Sequence, residues 1–137
     1  RSKLWQRWKP KSEYNKKLKH DNETKNTLFC ECLGVAKCER ENRSISCRTF
    51  PLEPYIDGQN RFTGLVFMKE FRNACPLIQR KKDIRQRVID KHYKFWTLIF
   101  EKRPDEFDLY RSTSRGWRIS AAKRGEDIPV LSPSHLK

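Results

Sequence analysis

The sequence predicts an α+β fold: a small cysteine-containing β-hairpin region (about residues 27–71) packed on one long amphipathic helix (about 76–103), with extended basic N- and C-terminal arms. Three observations carry this expectation. An Asp-Gly pair in the middle of the chain marks a hairpin, and residues 44–50 before it alternate like a half-buried strand. Apolar residues then recur at helical spacing between two prolines. Charge is unevenly spread: residues 1–26 carry a net +6, residues 27–75 a net +1 and residues 76–137 a net +7, out of +14 for the 137 residues. All five cysteines fall in the near-neutral middle.

The basic arm, residues 1–26, has no sustained apolar period, and Pro10 forbids one continuous helix. It reads as extended, with about one helical turn on either side of Pro10. Next comes a single compact α+β domain, residues 27–124. Thr27-Leu28-Phe29 and Leu33-Gly34-Val35-Ala36 read as β around the first cysteines, Glu39–Arg43 as a polar turn, and Ser44–Phe50 as a half-buried strand. A second hairpin is expected to turn at Asp57-Gly58-Gln59-Asn60, since Asp-Gly suits a tight hairpin, with residues 61–71 running back.

Pro76 suits a first helical position and Pro104 opposes continuation. Between them Leu77, Ile84, Val88, Phe95 and Ile99 fall on one narrow arc at 100° per residue. Val88 and Phe95 lie at its centre. Asp83 with Arg87, and Asp90 with Lys94, are spaced for i,i+4 ion pairs. Asp105-Glu106-Phe107-Asp108 reads as a helix N-cap and exposed turn, and the basic, Ser/Thr-rich stretch from Arg111 as contact surface, with an exposed loop as the alternative. The tail, residues 125–137, has two prolines and reads as an extended strap.

Such a charge accelerates encounter with polyanions and is silent about fold. Nucleic acid, heparin-like glycan and anionic lipid are the partner classes it admits. The longest apolar run, residues 95–100, is too short to span a membrane. The start at Arg1 without Met is read as a processed or trimmed product.

Two clusters are the candidate nucleic-acid-binding residues. In the arm, Trp5 and Trp8 are interleaved with Lys3, Arg7, Lys9 and Lys11, and followed by Lys16, Lys17 and Lys19. Cationic heads neutralise phosphates and release counterions, while indoles stack on unpaired bases for about 1–3 kcal/mol each. The alternative is a staple, with tryptophans packed on the domain and lysines merely solvated. In the second cluster Arg111, Arg115, Arg118, Lys123 and Arg124 surround Trp117. Arginine forks can bind phosphate bidentately, and the hydroxyls of Ser112, Thr113 and Ser114 add donors for phosphate oxygens. Arg80, Arg87, Lys91 and Lys94 form a third stripe on the helix. Asp83 and Asp90 beside it are expected to neutralise half of it, so it ranks below the other two.

Cys30, Cys32, Cys38 and Cys47 place four thiols within eighteen residues, dense enough for one tetrahedral zinc. The spacing contains no Cys-x2-Cys knuckle, and on a strand Cys30 and Cys32 point to opposite faces. Disulfides with one cysteine left over, or buried free thiols, account for the residues equally well. The expected cofactor set is therefore none, or one structural zinc. Two N-glycosylation acceptors, Asn22-Glu23-Thr24 and Asn42-Arg43-Ser44, favour a secreted alternative.

Catalysis finds no motif. His20, His92 and His135 sit in no nucleophile, metalloprotease or phosphate-loop pattern, and a small-molecule substrate is disfavoured. The composite expectation is a non-catalytic, RNA-binding structural component of a ribonucleoprotein assembly, partnered by RNA and neighbouring proteins. The arrangement is analogous in general character to ribosomal proteins, and a mitochondrial location would suit the processed start. The alternatives are a secreted disulfide-bonded protein binding glycans or a receptor, a zinc-stabilised DNA-binding domain, and an accessory subunit of a membrane-bound complex.

Overall fold

The computed structural model describes residues 5–23, 30–71, 73, 75–80 and 83–136, so the strand expected at residues 27–29 and the candidate contact Lys3 lie outside the described residues. The fold is mixed α+β. The chain divides into two compact units, Arg1–Ile45 and Ser46–Lys137, and the boundary falls inside the segment 27–124 that composition reads as one domain.

The first unit is more ordered than an extended arm. Strand β1 (Trp5–Arg7) pairs antiparallel with β2 (Cys30–Cys32), with Gln6 opposite Glu31. Gln6 Nε2 donates to Glu31 Oε1 at 2.8 Å, a cross-strand pair that fixes this short register. Pro10 does not disturb helix α1 (Glu13–Asn22), because it precedes the N-cap. That cap is Ser12, whose Oγ accepts from the Asn15 amide at 3.2 Å and satisfies one orphan donor of the first turn. Glu13 in the first turn and Lys19 in the last complement the helix dipole. Residues 35–42 form two 3₁₀ turns, Val35–Lys37 and Arg40–Asn42, where the sequence reads β for the first and a polar turn for the second.

The expected strand at 44–50 is instead helix α2 (Ile45–Thr49). Five residues are too few for periodicity to separate strand from helix, and serines are neutral witnesses. The second unit then contains the expected hairpin, β3 (Leu52–Ile56) and β4 (Phe62–Phe67), with Leu52 opposite Phe67 and Ile56 opposite Phe62. Asp57 builds the turn: its Oδ1 accepts from the amides of Gln59 and Arg61 at 2.9 and 2.8 Å. The left-handed residue is Asn60, φ 59°, and not Gly58.

The helix expected over 76–103 is broken. Pro76 opens a four-residue helix, α3 (Pro76–Gln79), and α4 (Gln86–Lys102) begins after a gap. Arg80, at φ −113° and ψ 58°, and Arg85, extended at φ −71° and ψ 139°, both leave the helical conformation, so the two helices are not continuous. Restarting the helix at Gln86 moves the buried face by one position. Ile89 and Trp96 are buried, whereas Val88 and Phe95 stand half-buried on its flank and Leu77 is exposed. The core is Leu52, Leu65, Phe67, Cys75, Ile78, Ile89 and Trp96.

Pro104 does not end the helical structure but starts α5 (Pro104–Arg124), a 21-residue helix that carries the second basic cluster. Its end signals are in order. Asp105 and Glu106 occupy the first turn, Lys123 and Arg124 the last, and Gly125 caps it at φ 62°. Helix α5 packs on β3, and α4 on β4. At the end of β3, α5 captures both backbone groups of Ile56. The Ile56 amide donates to Ser114 Oγ at 3.0 Å, and the Arg118 guanidinium donates to the Ile56 carbonyl.

The tail is tied to β4 as a strap and ends in a 3₁₀ turn, Ser134–Leu136. Leu65 exchanges both backbone hydrogen bonds with Leu131, at 3.0 and 2.8 Å. Leu65 thus directs its amide and carbonyl away from β3, so Pro54 opposite it lacks no ladder bond. Gly64 permits the approach, since a Cβ there would lie 2.6 Å from the Leu131 carbonyl oxygen.

Candidate nucleic-acid interface

In the first unit the candidate residues sort by what holds them. Arg7 pairs with Glu23 at 3.0 Å, Lys16 with Glu13 at 2.5 Å, and Lys19 Nζ donates to the Trp8 carbonyl at 2.6 Å. The first and third tie the chain around β1 to α1, and the second lies within α1. Trp8 is half-buried, and the Trp5 backbone pairs with Cys32. Lys9, Lys11 and Lys17 are exposed and have no ion-pair partner among the described residues.

On α5 the candidates sort likewise. Arg111 pairs with Asp108 at 3.0 Å and Arg124 with Glu126 at 2.9 Å. Arg118 is committed to the fold through the Ile56 carbonyl, with its guanidinium carbon 5.9 Å from the centre of the Tyr55 ring. Arg115 and Lys123 are exposed and have no such partner among the described residues.

The stripe on α4 stands differently from its expected form. Arg80 lies at the end of α3, where it pairs with Asp83 at 3.3 Å, so it is not part of α4. Neither expected i,i+4 pair forms. Asp83 is taken by Arg80. Asp90 accepts from Gln86 Nε2 at 2.9 Å and from the Ser134 amide and hydroxyl at 2.8 and 2.7 Å. Those bonds, the Ser134 hydroxyl first, hold the Asp90 carboxyl below the usual carboxylate range. Arg87, Lys91 and Lys94 are left exposed with no acidic partner among the described residues. At 100° per residue they share an arc of about 60°, opposite the buried Ile89 and Trp96. Their i, i+4, i+7 spacing was the signal for this ridge.

The cysteines are divided between the two units. Cys30 and Cys32 flank Glu31 on β2 and are exposed, Cys38 is half-buried, and Cys47 belongs to the second unit. Cys32 Sγ accepts from the Gly34 amide at 3.3 Å, and Cys38 Sγ accepts from Arg43 Nε at 3.1 Å. Among the described residues no three His, Cys, Asp or Glu side chains form a group able to hold a metal ion. Cys75 is in the core. His92 meets the Val88 carbonyl through Nδ1 at 2.8 Å, His135 packs edge-on against Tyr93, and His20 lies 3.4 Å from Asp21.

Sequence reasoning also missed a concavity. A cleft of about 850 Å³ opens in the second unit between the end of β4, α3, the end of α5 and the strap. Val66, Phe67 and Ile78 give it an apolar floor, and Trp117, Lys69 and Asp127 are among the side chains that line it. No sequence signal brings Lys69 and Asp127 to Trp117, because the strap and the end of β4 meet only in the fold. Among the described residues no helix is long and apolar enough to cross a membrane. No protein-family model, curated protein or solved structure matches the chain.

Proposed function

We propose that this protein is a non-catalytic, RNA-binding structural component of a ribonucleoprotein assembly. Its phosphate-contacting groups are the ridge Arg87, Lys91 and Lys94 on α4, Arg115 and Lys123 on α5, and Lys9, Lys11 and Lys17 in the first unit. The supporting observation is the fate of two carboxylates. Asp83 and Asp90 are spaced to neutralise the α4 ridge, yet Arg80 occupies one and Gln86 with Ser134 the other. Three cations on one face of a helix, held away from their nearest acids, repel one another until an external anion lies across them. A phosphate backbone is such an anion, and binding it releases condensed counterions. RNA is favoured over duplex DNA because Trp8 and Trp117 accompany the cations, and stacking requires unpaired bases. Neighbouring proteins of the assembly, and a mitochondrial location, belong to the same proposal.

Fluorescence anisotropy with a labelled single-stranded RNA over a series of salt concentrations tests it. Each phosphate contact contributes about −0.7 to the log–log slope. Replacing Arg87, Lys91 and Lys94 together by Gln is therefore expected to flatten the slope by about 2. An unchanged slope overturns the role of the ridge. If heparin binds through the same three residues and RNA does not, the polyanion is a glycan and the secreted reading replaces this one.

A further inference from the structure

In the second unit the described aromatic rings are paired or stacked almost throughout: Phe62 on Tyr93, Trp96 against Tyr110, Phe100 against Phe107, Phe50 against Phe71. Trp117 departs from this. It is half-buried in the wall of the 850 Å³ cleft, and among the described residues it has neither a ring contact nor an acceptor for its indole N–H. Two other lining side chains share that condition. Lys69 carries a cation and Asp127 a carboxylate, each exposed and without a hydrogen bond or ion pair among the described residues. The remaining charged lining residues, Arg124 and Glu126, neutralise each other.

An unoccupied aromatic ring, a single cation and a single carboxylate over an apolar floor match the parts of a nucleotide. The ring offers a stacking face to a base. The ammonium offers three donors to a phosphate, and the carboxylate accepts through two oxygens. The carboxylate selects the base. Guanine alone presents two adjacent N–H donors, N1–H and N2–H, on its Watson–Crick edge, where uracil, adenine and cytosine offer one donor group beside acceptors. The volume lies within the range of small-ligand sites and exceeds what a single nucleotide fills.

We infer that this cleft is a nucleotide site that receives one unpaired guanosine, stacked on Trp117, with its base edge on Asp127 and its phosphate on Lys69. The inference rests on the RNA-binding reading in taking the guanosine from an RNA strand. A free mononucleotide offers the same chemistry, so the test carries both.

Isothermal titration calorimetry of the full chain with 5′-GMP and 5′-UMP forms one arm. Anisotropy with oligouridine, with and without one central guanosine, forms the other. GMP is expected to bind about tenfold or more tightly than UMP, the scale of a good bidentate contact, and the guanosine-containing strand to gain similarly. Asp127→Asn should bring both ratios near one. Lys69→Gln should weaken both mononucleotides and leave their ratio unchanged. Trp117→Phe, which keeps a ring in the wall, should weaken both moderately, while Lys102→Gln, exposed and outside the cleft lining, should leave GMP binding untouched. RNA binding with no guanosine preference, or a preference that survives Asp127→Asn, overturns the cleft assignment and leaves the polyanion reading standing. GMP binding with the expected Asp127 dependence but no RNA binding supports the cleft as a free-nucleotide site and overturns the RNA reading alone.

Discussion

Replacing Ser114 by alanine removes the acceptor that α5 holds out to the end of β3. Ser114 and Ile56 are both 0% exposed, and the bond between Ser114 Oγ and the Ile56 amide is 3.0 Å. Losing an acceptor in such a place leaves a buried N–H without a partner, which costs about 1–3 kcal/mol. Alanine is the better helix former and returns about 0.5 kcal/mol within α5. The net expectation is a loss of about 0.5–2.5 kcal/mol, at roughly 4–8 °C in melting temperature per kcal/mol for a domain of this size. Thermal melts followed by circular dichroism, with urea titrations for the free energy, measure it. Ser112→Ala on the exposed side of the same helix is the control, since it gains the propensity and loses no buried bond. If Ser114→Ala proves as harmless as Ser112→Ala, the hydroxyl is not what satisfies Ile56, and α5 is held to the hairpin by apolar packing alone.

Other perturbations separate further parts of the fold. Gly64→Ala places a methyl 2.6 Å from the Leu131 carbonyl oxygen and 2.7 Å from a Val130 methyl, so the strap must shift. A loss of about 1–3 kcal/mol is expected, with faster amide exchange at Leu131; unchanged exchange there would refute the close approach. Asp90 titrates below the usual aspartate value, so the stability it lends the strap is complete above that value, about 3.9, and is lost as pH falls through its lower folded pKa. The Ser134 amide resonance should therefore move to its free position only in acid below about 3.9, and movement nearer neutrality would contradict the assignment. Trp96 is 2% exposed, and its indole N–H is the buried side-chain group without a partner among the described residues. Trp96→Phe should cost clearly less than the roughly 3–5 kcal/mol of Trp96→Ala, because removing an unsatisfied donor offsets part of the lost volume; equal costs in urea unfolding would mean the N–H is satisfied in solution.

Local chemistry made some of this legible. The Asp57–Asn60 turn follows from residues that bond to their own backbone, and the hairpin around it forms where the Asp-Gly pair placed it, whereas the alternation at 44–50 became helix α2. The mixed α+β class followed from the same period changes. Helix α5 was hidden by Ser112, Thr113, Ser114 and Gly116, all poor interior helix formers. Its real signals were terminal: Pro104, Asp105 and Glu106 at one end, Gly125 at the other. The core face of α4 was displaced because α3 ends at Arg80 and α4 restarts after Arg85, where periodicity carried one helix through. The cations of the candidate interface were plain in the sequence, but their availability was not. Whether Lys94 meets Asp90 is decided by Ser134, 44 positions away, and whether Arg118 faces solvent is decided by Ile56, 62 positions away. Spacing along one helix does not contain such competitors.

The bond between strap and sheet also has a timing. Leu131 follows Leu65 by 66 residues, a long separation for a contact that closes a two-stranded sheet. At about 5–20 residues per second of synthesis, the outer edge of β4 exists for roughly 3–13 s before the segment that covers it has been made. During that interval Leu65 offers a bare amide and carbonyl, with apolar neighbours on either side, to any other extended chain. Nascent chains on adjacent ribosomes are the nearest candidates for such mispairing. A slow-folding or truncated form of this protein should accordingly aggregate edge to edge through β4, and supplying a peptide of residues 126–136 in trans should suppress it.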